Sequence, residues 1–490
     1  MSAGRGGGRP GALPSAGPLA RLGRRLVRDE GRGVAGEVEE VRAERASLAR
    51  RNRFFHTADG VAYWAGMNAV SYNTVVPLFV SKLTDSPFLI GLVAVFSQAG
   101  WYLPQLLTSG ATERVAYKRP IAVRLGFIVE RAPALLWPAA ALLSVRNPAL
   151  ALTIFLASFG LHFLGAGVIA PAWQDLIAHT FSPQMRGRFF GLTTFLGTSL
   201  GAVGGLAASR ILGVYTFPFD FALAFGFAAI CVQISWVFLA LAKEPVRLGI
   251  SVPGAEGGAG DGSPTGAIAT APEQGAAVPS GPAHTGGAGP GGLRGLRELL
   301  SGDREFARFL VVRTLMGLGT MGFGFVAVHT TREFNVADAT VALFTVAMLI
   351  GEAFGNISAG YMADRSGHRL PLIIGVGSVT LGFAISRMAP GVLWFYPAFF
   401  FMGYAIGAGR VSAMMIAFEY APAGRTPTYV GVTNTLAGVG GLVAPLIGSA
   451  LAAYSYFSLF TVTAAVNLVA WLGLIFLVSE PRRLGRGGAE

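Results

Sequence analysis

Long stretches without a charged residue constrain this chain more than any other feature. Seven of them contain 21 or more residues and no Asp, Glu, Lys or Arg: 60–81, 86–112, 147–174, 189–209, 221–242, 388–409 and 426–479. About 20 apolar residues in an α-helix are enough to cross the roughly 30 Å of hydrocarbon in a bilayer. Charged residues make up 13% of the chain, against about 25% in soluble proteins. The pattern predicts an all-α membrane protein and excludes a large soluble enzyme.

The positive charge of the chain is distributed in a way that does not suit nucleic acid. The formal net charge is +12, but 12 of the 38 basic residues lie in residues 1–53, and most others lie between apolar runs. Because a nucleic-acid surface needs a basic stripe on a folded domain, we expect no nucleic-acid partner. Cys231 is the only cysteine, which excludes internal disulfides and metal sites built from several thiolates. We expect no metal and no cofactor.

Twelve predicted spans divide into two groups of six. We place them near 60–81, 87–111, 120–144, 149–173, 189–213, 221–242, 306–331, 338–362, 370–388, 391–417, 428–452 and 457–479. Between the groups, residues 249–292 are mostly Gly, Ala, Pro, Ser and Thr, a composition too poor in apolar residues to fold alone. The predicted organisation is a basic cytoplasmic tail (1–53), a six-helix bundle (54–243), a linker ending in an interfacial helix (244–305), a second six-helix bundle (306–480) and a short cytoplasmic tail (481–490). An Arg-rich transit peptide is the alternative for the first segment.

The basic residues between the spans predict the orientation. With both termini inside, the cytoplasmic segments hold 28 Lys and Arg and the external segments hold 5, and positive residues favour the cytoplasmic side. The 3 lysines against 35 arginines, with abundant Gly and Ala, are typical of GC-rich bacterial coding. We therefore expect a monomer in the lipid bilayer of the bacterial cytoplasmic (inner) membrane, with both termini in the cytoplasm.

A loop motif occurs in both halves. After the eighth span the chain contains the run Gly360-Tyr-Met-Ala-Asp364-Arg365-Ser-Gly367-His-Arg369, and a related loop from Gly110 to Lys118-Arg119 follows the second span, offset by 250. The run fits Gly-x-x-x-Asp-Arg-x-Gly-x-Arg and resembles the signature loop of the major facilitator superfamily. Over residues 54–480 this resemblance implies two pseudo-symmetric six-helix bundles and alternating access to a midplane cavity. It also implies that helices 1, 4, 7 and 10 line the cavity.

The resemblance implies further that each loop faces the start of a helix in the other half, where the helix dipole favours an anion. Asp364 would contact the entrance of helix 5 at Arg186 and Arg188. Glu113 would contact the entrance of helix 11 at Arg425. Such contacts would latch the cytoplasmic side and break when it opens. The alternative is that these charges only determine topology.

The first loop departs from the motif. Its carboxylate, Glu113, comes one position early, Arg114 follows it, and Tyr117 replaces the second glycine. Decay of a redundant repeat is one explanation. Helix 5 is rich in glycine and resembles in part the antiporter motif of drug exporters, with Ala202 in place of its proline. Plain helix packing explains the glycines of helices 5 and 11 equally well.

Charges inside the predicted spans are functional candidates, because each costs about 2.5–3.5 kcal/mol to insert. Helix 3 carries Arg124, Glu130 and Arg131. Since adjacent residues on a helix do not face each other, we expect Glu130 and Arg131 to find partners on other helices in a structural ion cluster. Proton coupling through Glu130 is the alternative.

The second half carries three more charges of interest. Glu352 lies near the middle of helix 8, where a carboxylate starved of water could load and release a proton. Arg313 on helix 7 and Arg410 on helix 10 are candidate contacts for an anion or for gating in the cavity. Snorkelling toward the cytoplasmic interface is the alternative for both arginines.

Three side chains in cavity-lining helices have simpler interpretations. Asp59, at the start of helix 1, suits a helix N-terminus, with a place in the substrate cavity as the alternative. His162 on helix 4 and His329 on helix 7 are interpreted as structural or hydrogen-bonded side chains rather than metal or proton sites, although both remain cavity candidates.

These observations predict a secondary active transporter of small molecules, coupled to protons, with efflux of amphipathic compounds as the leading subclass. Uptake of an anionic solute is the alternative subclass. A transporter-like sensor without flux is the alternative from another class. The chain lacks a Gly-x-x-x-x-Gly-Lys-Ser/Thr loop, and its six histidines and one cysteine show no pattern of a catalytic centre. We do not expect an enzyme.

Overall fold

The computed structural model describes residues 48, 50–115, 117–181, 183–244, 299–422 and 425–484. Helices make up most of these residues, and the described ranges contain no strand. Most of the N-terminal tail, most of the linker and the last six residues lie outside them, together with the predictions made for those segments. The all-α class predicted from the charge-free runs is confirmed.

The helices follow the predicted spans, and we number them α1 to α12 accordingly, with a and b for the parts of a broken helix. Their bounds are 51–69 (α1a), Val75–Leu83 (α1b), Pro87–Glu113 (α2), Ile121–Leu143 (α3), Pro148–Thr180 (α4), Pro183–Val214 (α5), Phe219–Leu241 (α6), Arg304–Leu318 (α7a), Phe323–Phe334 (α7b), Asp338–Ser366 (α8), Arg369–Met388 (α9), Phe395–Ser412 (α10a), Met415–Tyr420 (α10b), Thr426–Tyr454 (α11) and Tyr456–Phe476 (α12). Within the described ranges, 11 stretches are long and apolar enough to cross a membrane. The twelfth predicted span is α1, which is broken in two.

The breaks in α1 and α7 are equivalent. α1 is interrupted at residues 70–74 and α7 at residues 319–322, close to the offset of 250 that separates the two loop motifs. The buried Thr74 in the first break shares a hydrogen bond of 2.5 Å with Thr345 of α8. The repeat seen in the sequence is thus accompanied by helix breaks at equivalent positions of the two halves.

Successive helices run in opposite directions, so the bundle has two distinct ends. The tail-side end carries residues 50–53, 114–115, 117–119, 243–244, 366–369 and 480–484. The opposite end carries the turns at 84–86, 144–147, 215–218, 335–337, 389–391 and 455.

The two halves pack through α2 against α11 and through α5 against α8. Small residues permit this approach: a Cβ atom on Gly441 of α11 would lie 2.9 Å from Cβ of Gln98 in α2. Other glycines of α5 face α1 of their own half, where a Cβ on Gly201 would lie 2.4 Å from Cβ of Asn68. The packing explanation of these glycines is confirmed, and the antiporter interpretation stays a prediction.

The loop after α8 is clasped to the end of α12. The backbone N–H of Arg369 donates to Glu480 Oε2 (3.0 Å), so that the carboxylate caps the start of α9. The Arg369 guanidinium donates to the carbonyls of Leu474 (3.0 Å) and Ile475 (2.6 Å) at the end of α12. Gly367 has a φ of +82°, and a Cβ there would lie 2.2 Å from the Glu480 carboxyl carbon. Glycine adopts this positive φ without the steric cost that other residues would have.

The first half repeats this clasp between α3 and α6. The backbone N–H groups of Lys118 and Arg119 donate to the two oxygens of Glu244 at 3.1 and 2.8 Å. The Arg119 guanidinium donates to the carbonyls of Ala242 (2.8 Å) and Ala240 (2.7 Å). These bonds satisfy helix-end groups that would otherwise lack partners. The sequence analysis missed both glutamates, although a Glu-Pro pair follows the sixth and the twelfth span alike.

We expect Glu480→Gln to destabilise the protein, because a neutral amide caps α9 less well than a carboxylate. Losing a charge-assisted hydrogen bond costs about 1–3 kcal/mol, and Glu244→Gln should cost a similar amount in the equivalent clasp. Differential scanning fluorimetry of the purified protein measures both. Glu333→Gln, an exposed carboxylate at the opposite end, is the control. Wild-type unfolding temperatures for both clasp variants would mean that the clasps do not stabilise the fold.

His368 lies beside the second clasp. Its Nδ1 is 3.3 Å from Ser412 Oγ. Burial, and then the positive charge of Arg482, lower the pKa of His368 from 6.5 to about 4. Between these values the unfolded chain binds more protons than the native protein, so acidification destabilises the fold.

Replacing His368 with Gln should therefore flatten the loss of stability between pH 6.5 and pH 4. In the wild type this group contributes at most about 1.4 kcal/mol of lost stability for each pH unit in that window. Thermal unfolding of both proteins at pH 7, 6, 5 and 4.5 tests this. Parallel pH profiles would show that His368 does not remain neutral in the fold.

Candidate functional site

A cluster of charged side chains is buried in the first half between α1a, α3 and α6. Arg131 Nη1 donates to Ser235 Oγ (3.0 Å), and Ser235 Oγ donates to Asp59 Oδ1 (2.5 Å). Arg131 Nη2 lies 3.9 Å from Asp59 Oδ1, and Arg131 Nε lies 3.3 Å from Glu130 Oε2. The side chains of Asp59, Glu130 and Arg131 are 3%, 4% and 5% exposed. The expectation of partners on other helices is confirmed for Arg131.

The contact between Glu130 and Arg131 contradicts the expectation that adjacent residues do not meet. Residues Ile121–Leu125 and Phe127–Arg131 are π-helical rather than α-helical. The wider turn changes the directions in which consecutive side chains leave the helix, and such segments are frequent at functional sites. Arg124 is exposed and lies outside the cluster.

Asp59 does not cap a helix, so that interpretation is wrong. The helix already includes residue 51, which places Asp59 about two turns inside it. The second carboxylate oxygen of Asp59 accepts a hydrogen bond from Trp173 Nε1 (3.4 Å). Asp59 is therefore part of the buried cluster and of the cavity beside it.

The two histidines have hydrogen-bonded or packed surroundings, as expected. His162 is fully buried, with its Nδ1 2.7 Å from the Glu130 carbonyl oxygen and its Nε2 3.3 Å from the Tyr63 hydroxyl. His329 lies among aromatic rings near the opposite end, with ring centroids at 5.1 Å from Phe460 and 5.3 Å from Tyr456.

A cavity opens beside the cluster, within the tail-side part of the first half. It encloses about 630 Å³ of empty space, counting its mouth. Three charged residues of the cluster line it, together with two threonines and five aromatic side chains, which are Tyr63, Trp64, Trp101, Trp173 and Phe189. The sequence analysis did not place helix 3 in a cavity, and the π-helical turn that brings it there has no signal in the sequence pattern.

The second half holds a buried ion pair between α8 and α10a. Arg410 Nη1 donates to Glu352 Oε1 (2.5 Å), and the two side chains are 4% and 2% exposed. Snorkelling of Arg410 toward the interface is therefore wrong. One turn along α8 from Glu352, the side-chain oxygen of Asn356 has no hydrogen-bond partner among the described residues. The sequence did not predict that Glu352 and Arg410 would bind each other.

Arg313 of α7a lies at the boundary between the halves. Its guanidinium is close enough to the Tyr102 hydroxyl of α2 for the two groups to interact. Within the described part of the chain, its buried Nε finds no hydrogen-bond acceptor. A cationic group with spare donors between the halves suits an anionic ligand.

The motif loops lie at the tail-side end. Asp364, Arg425 and Arg114 are exposed there, Gly360 is buried, and Arg365 lies over the Tyr361 ring at 3.8 Å. A Cβ on Gly110 would meet no atom within 4 Å. The side chains of Glu113, Arg186 and Arg188 lie outside the described residues, and so do the predicted latch contacts that depend on them.

Comparisons with known proteins relate both the sequence and the fold to transporters. Residues 309–490 match the family model described as Major Facilitator Superfamily. The chain is 31% identical over 181 residues to the 4-hydroxybenzoate transporter PcaK of Pseudomonas putida, an alignment that covers 36% of this chain and 39% of the relative. It is 32% identical over 114 residues to the protein of the same name in Pseudomonas aeruginosa, covering 23% of this chain and 25% of the relative. The matched part of the chain thus spans about two fifths or less of these relatives.

Two solved structures share the fold along most of the chain. A bacterial homologue of the iron transporter ferroportin has a TM-score of 0.62 at 13% identity, over 87% of this chain and 98% of the other. A D-xylose–proton symporter has a TM-score of 0.60 at 15% identity, over 89% and 99%. These names are all those of transporters, in agreement with the expectation that the chain is not an enzyme. The C-terminal part of the chain thus matches the major facilitator superfamily in sequence, and the fold along most of the chain is the one shared by these two transporters.

Proposed function

We propose that the chain is a secondary active transporter that moves small organic molecules across a bacterial cytoplasmic membrane by alternating access. The observation that carries this proposal is closure at one end. Contacts between the halves fasten the opposite end, while the charged cavity lies toward the tail-side end. Alternating access needs this arrangement, because one end must be shut while the site is open to the other.

Two ion pairs join the halves at the opposite end, and the internal repeat relates one pair to the other. Lys82 Nζ, at the end of α1b, lies 2.8 Å from Asp338 Oδ2 at the start of α8. Arg332 Nη2, near the end of α7b, lies 2.9 Å from Asp85 Oδ1 just before α2. Because α1 is equivalent to α7 and α2 to α8, each half supplies one cation and one anion to the same closure.

Buried hydrogen bonds lie beneath these pairs. Thr74 and Thr345 are fully buried and share one of them, and Ser209 Oγ donates to the Ala339 carbonyl (2.9 Å). Exposed ion pairs contribute about 0–1 kcal/mol each, and net hydrogen bonds about 1 kcal/mol. A total of a few kcal/mol suits a gate, since the binding of a proton or substrate can overcome it.

The proposal sets the tail-side end in the cytoplasm. By sequence, the segments expected on that side, tails and linker included, hold 28 Lys and Arg against 5 on the other side, and positive residues favour the cytoplasmic side. The structure then corresponds to an inward-open state. The ferroportin homologue with a similar fold is described as inward-facing, which supports this assignment. One chain supplies both halves, so a monomer is sufficient.

Proton coupling is proposed through Glu352, with Glu130 as the second candidate. The ion pair with Arg410 supports Glu352, because a proton on this carboxylate would remove the charge that holds Arg410 in place. Protonation would then break the ion pair that joins α8 to α10a. A link between protonation and the contact of two helices is what coupled transport requires.

Efflux of amphipathic compounds remains the leading subclass, supported by the aromatic lining of a cavity that faces the proposed cytoplasmic end. Uptake of an anionic solute is the second candidate. Arg313 supports it with its spare donor between the halves, as does the similarity to transporters named for 4-hydroxybenzoate.

A flux assay tests the function. Proteoliposomes loaded with a pH-sensitive dye and acidic inside receive 4-hydroxybenzoate or a series of aromatic amines on the outside. Exchange of an efflux substrate for internal protons should raise the internal pH, whereas uptake of the anion together with protons should lower it. No flux with any compound, together with saturable binding, would favour the sensor hypothesis.

Glu352→Gln should abolish the dependence of transport on the proton gradient, because an amide cannot exchange a proton. Downhill movement of the substrate should persist at a reduced rate. The matched control is Glu333→Gln, which removes a carboxylate outside the bundle core. Transport by Glu352→Gln that equals the wild type at every pH would exclude coupling through this residue.

Reversing one charge of the opposite-end closure should open it. Lys82→Glu places two carboxylates together at Asp338, and the combined variant Lys82→Glu with Asp338→Lys should restore the closed distance. Spin labels at Val145 and Met388, exposed residues of the two halves at that end, report the separation by double electron–electron resonance in a Cys231→Ala background. An unchanged distance distribution in Lys82→Glu would show that these pairs do not hold the end shut.

A further inference from the structure

The cavity in the first half carries more negative than positive charge. Two carboxylates, Asp59 and Glu130, line it, and Arg131 is the single guanidinium among its lining residues. Each carboxylate lies within 4 Å of the same arginine. With both carboxylates ionised, the site has one negative charge that no cation among its described lining residues balances.

His162 does not supply the missing charge. Its Nδ1 lies 2.7 Å from a backbone carbonyl oxygen, which can only accept, so Nδ1 carries a proton and donates. Its Nε2 lies 3.3 Å from the Tyr63 hydroxyl, which can donate to it. The ring is fully buried, and an imidazole that donates through one nitrogen and accepts through the other is the neutral form that burial favours.

Arg131 leaves Glu130 incompletely satisfied. Arg131 Nε and Glu130 Oε2 are 3.3 Å apart, yet their geometry does not form a hydrogen bond, and neither atom has another hydrogen-bond partner among the described residues. The other end of the guanidinium is committed to Ser235. A buried carboxylate oxygen without a partner costs free energy that a bound donor or cation would recover.

The walls of the cavity suit an organic cation. The Arg131 guanidinium already lies 4.8 Å from the Tyr63 ring centroid, so one aromatic face beside the site holds a positive charge. The indole rings of Trp64, Trp101 and Trp173 line the same space, and tryptophan attracts cations over its face most strongly. A bare metal ion would need several oxygen ligands, and no group of three metal-ligating side chains occurs in the described ranges.

We propose that this cavity is a binding site for monovalent organic cations with an aromatic or apolar body. The cationic group lies against Glu130 and Asp59, and the body packs among the tryptophans. The proposal rests on the proposed function and names the substrate class of the efflux route. It differs from a general cavity between the halves, because every residue that lines this site belongs to the first half.

Isothermal titration of the purified full-length protein with two matched compounds tests the proposal. Benzyltrimethylammonium and benzylsulfonate share an aromatic ring and a compact head group but carry opposite charges. We expect the cation to bind about tenfold or more tightly than the anion, as charge-assisted contacts imply. Three of the seven tryptophans line the cavity, so cation binding should also quench tryptophan fluorescence.

Glu130→Gln should weaken cation binding about tenfold and leave benzylsulfonate unchanged, while Glu333→Gln, which removes a carboxylate at the opposite end, should bind both compounds as the wild type does. The wild-type comparison stands even if Glu130→Gln fails to fold. Equal or tighter binding of benzylsulfonate, or binding of 4-hydroxybenzoate but not of the cation, overturns the proposal. Cation binding that Glu130→Gln preserves in a folded protein overturns it as well.

The failure of this proposal is distinguishable from the failure of the proposed function. Charge reversal at Lys82 and the spin-label distances report gating whichever ligand binds. A protein that gates and transports an anion, but does not bind the cation, would refute only the cation site.

Discussion

Hydrocarbon offers a charged side chain no partner, and this constraint organises the whole molecule. Charges that must lie at membrane depth are directed inward and bound to one another, as in the pair of Glu352 with Arg410 and the cluster around Arg131. The lipid-facing surfaces are left to apolar side chains. The buried charged groups therefore indicate functional sites, because burying a charge has a free-energy cost that packing alone does not require.

Because the fold is duplicated, a contact made by one half has an equivalent made by the other half. At the opposite end, each half supplies one cation and one anion to the closure, through Lys82 with Asp338 and Arg332 with Asp85. At the tail-side end, equivalent clasps stay within each half, through Glu244 and Glu480. Each half is thus braced internally at one end and joined to its partner at the other, which allows the halves to move as rigid bodies.

The sequence predicted the elements that depend on local composition and missed those that depend on three-dimensional contacts. Charge-free runs located the spans, because hydrocarbon thickness sets their length. The loop motif located the turn at Gly367, because the positive φ there suits a residue without a Cβ atom. The pairing of Glu352 with Arg410 was not, since 58 residues separate them and nothing in either helix indicates its neighbour. Asp59 was misinterpreted because the charge-free run begins after it, whereas the helix begins earlier.

Buried charge also distinguishes the two halves. The first half has an excess carboxylate in an aromatic cavity, and the second half has Arg313 with a spare donor and a balanced ion pair. Under the proposed function, this asymmetry would let the first half hold the substrate while the second half responds to protons.

The central claim is that the two ends open in turn, and paired distances at both ends of one protein test it most directly. Spin labels at Val145 and Met388 report the opposite end, and labels at Val115 and Arg483, exposed at the tail-side end, report the other. On imposing a proton gradient with substrate, the account predicts that one distance lengthens as the other shortens. Distances that change together, or not at all, would contradict it.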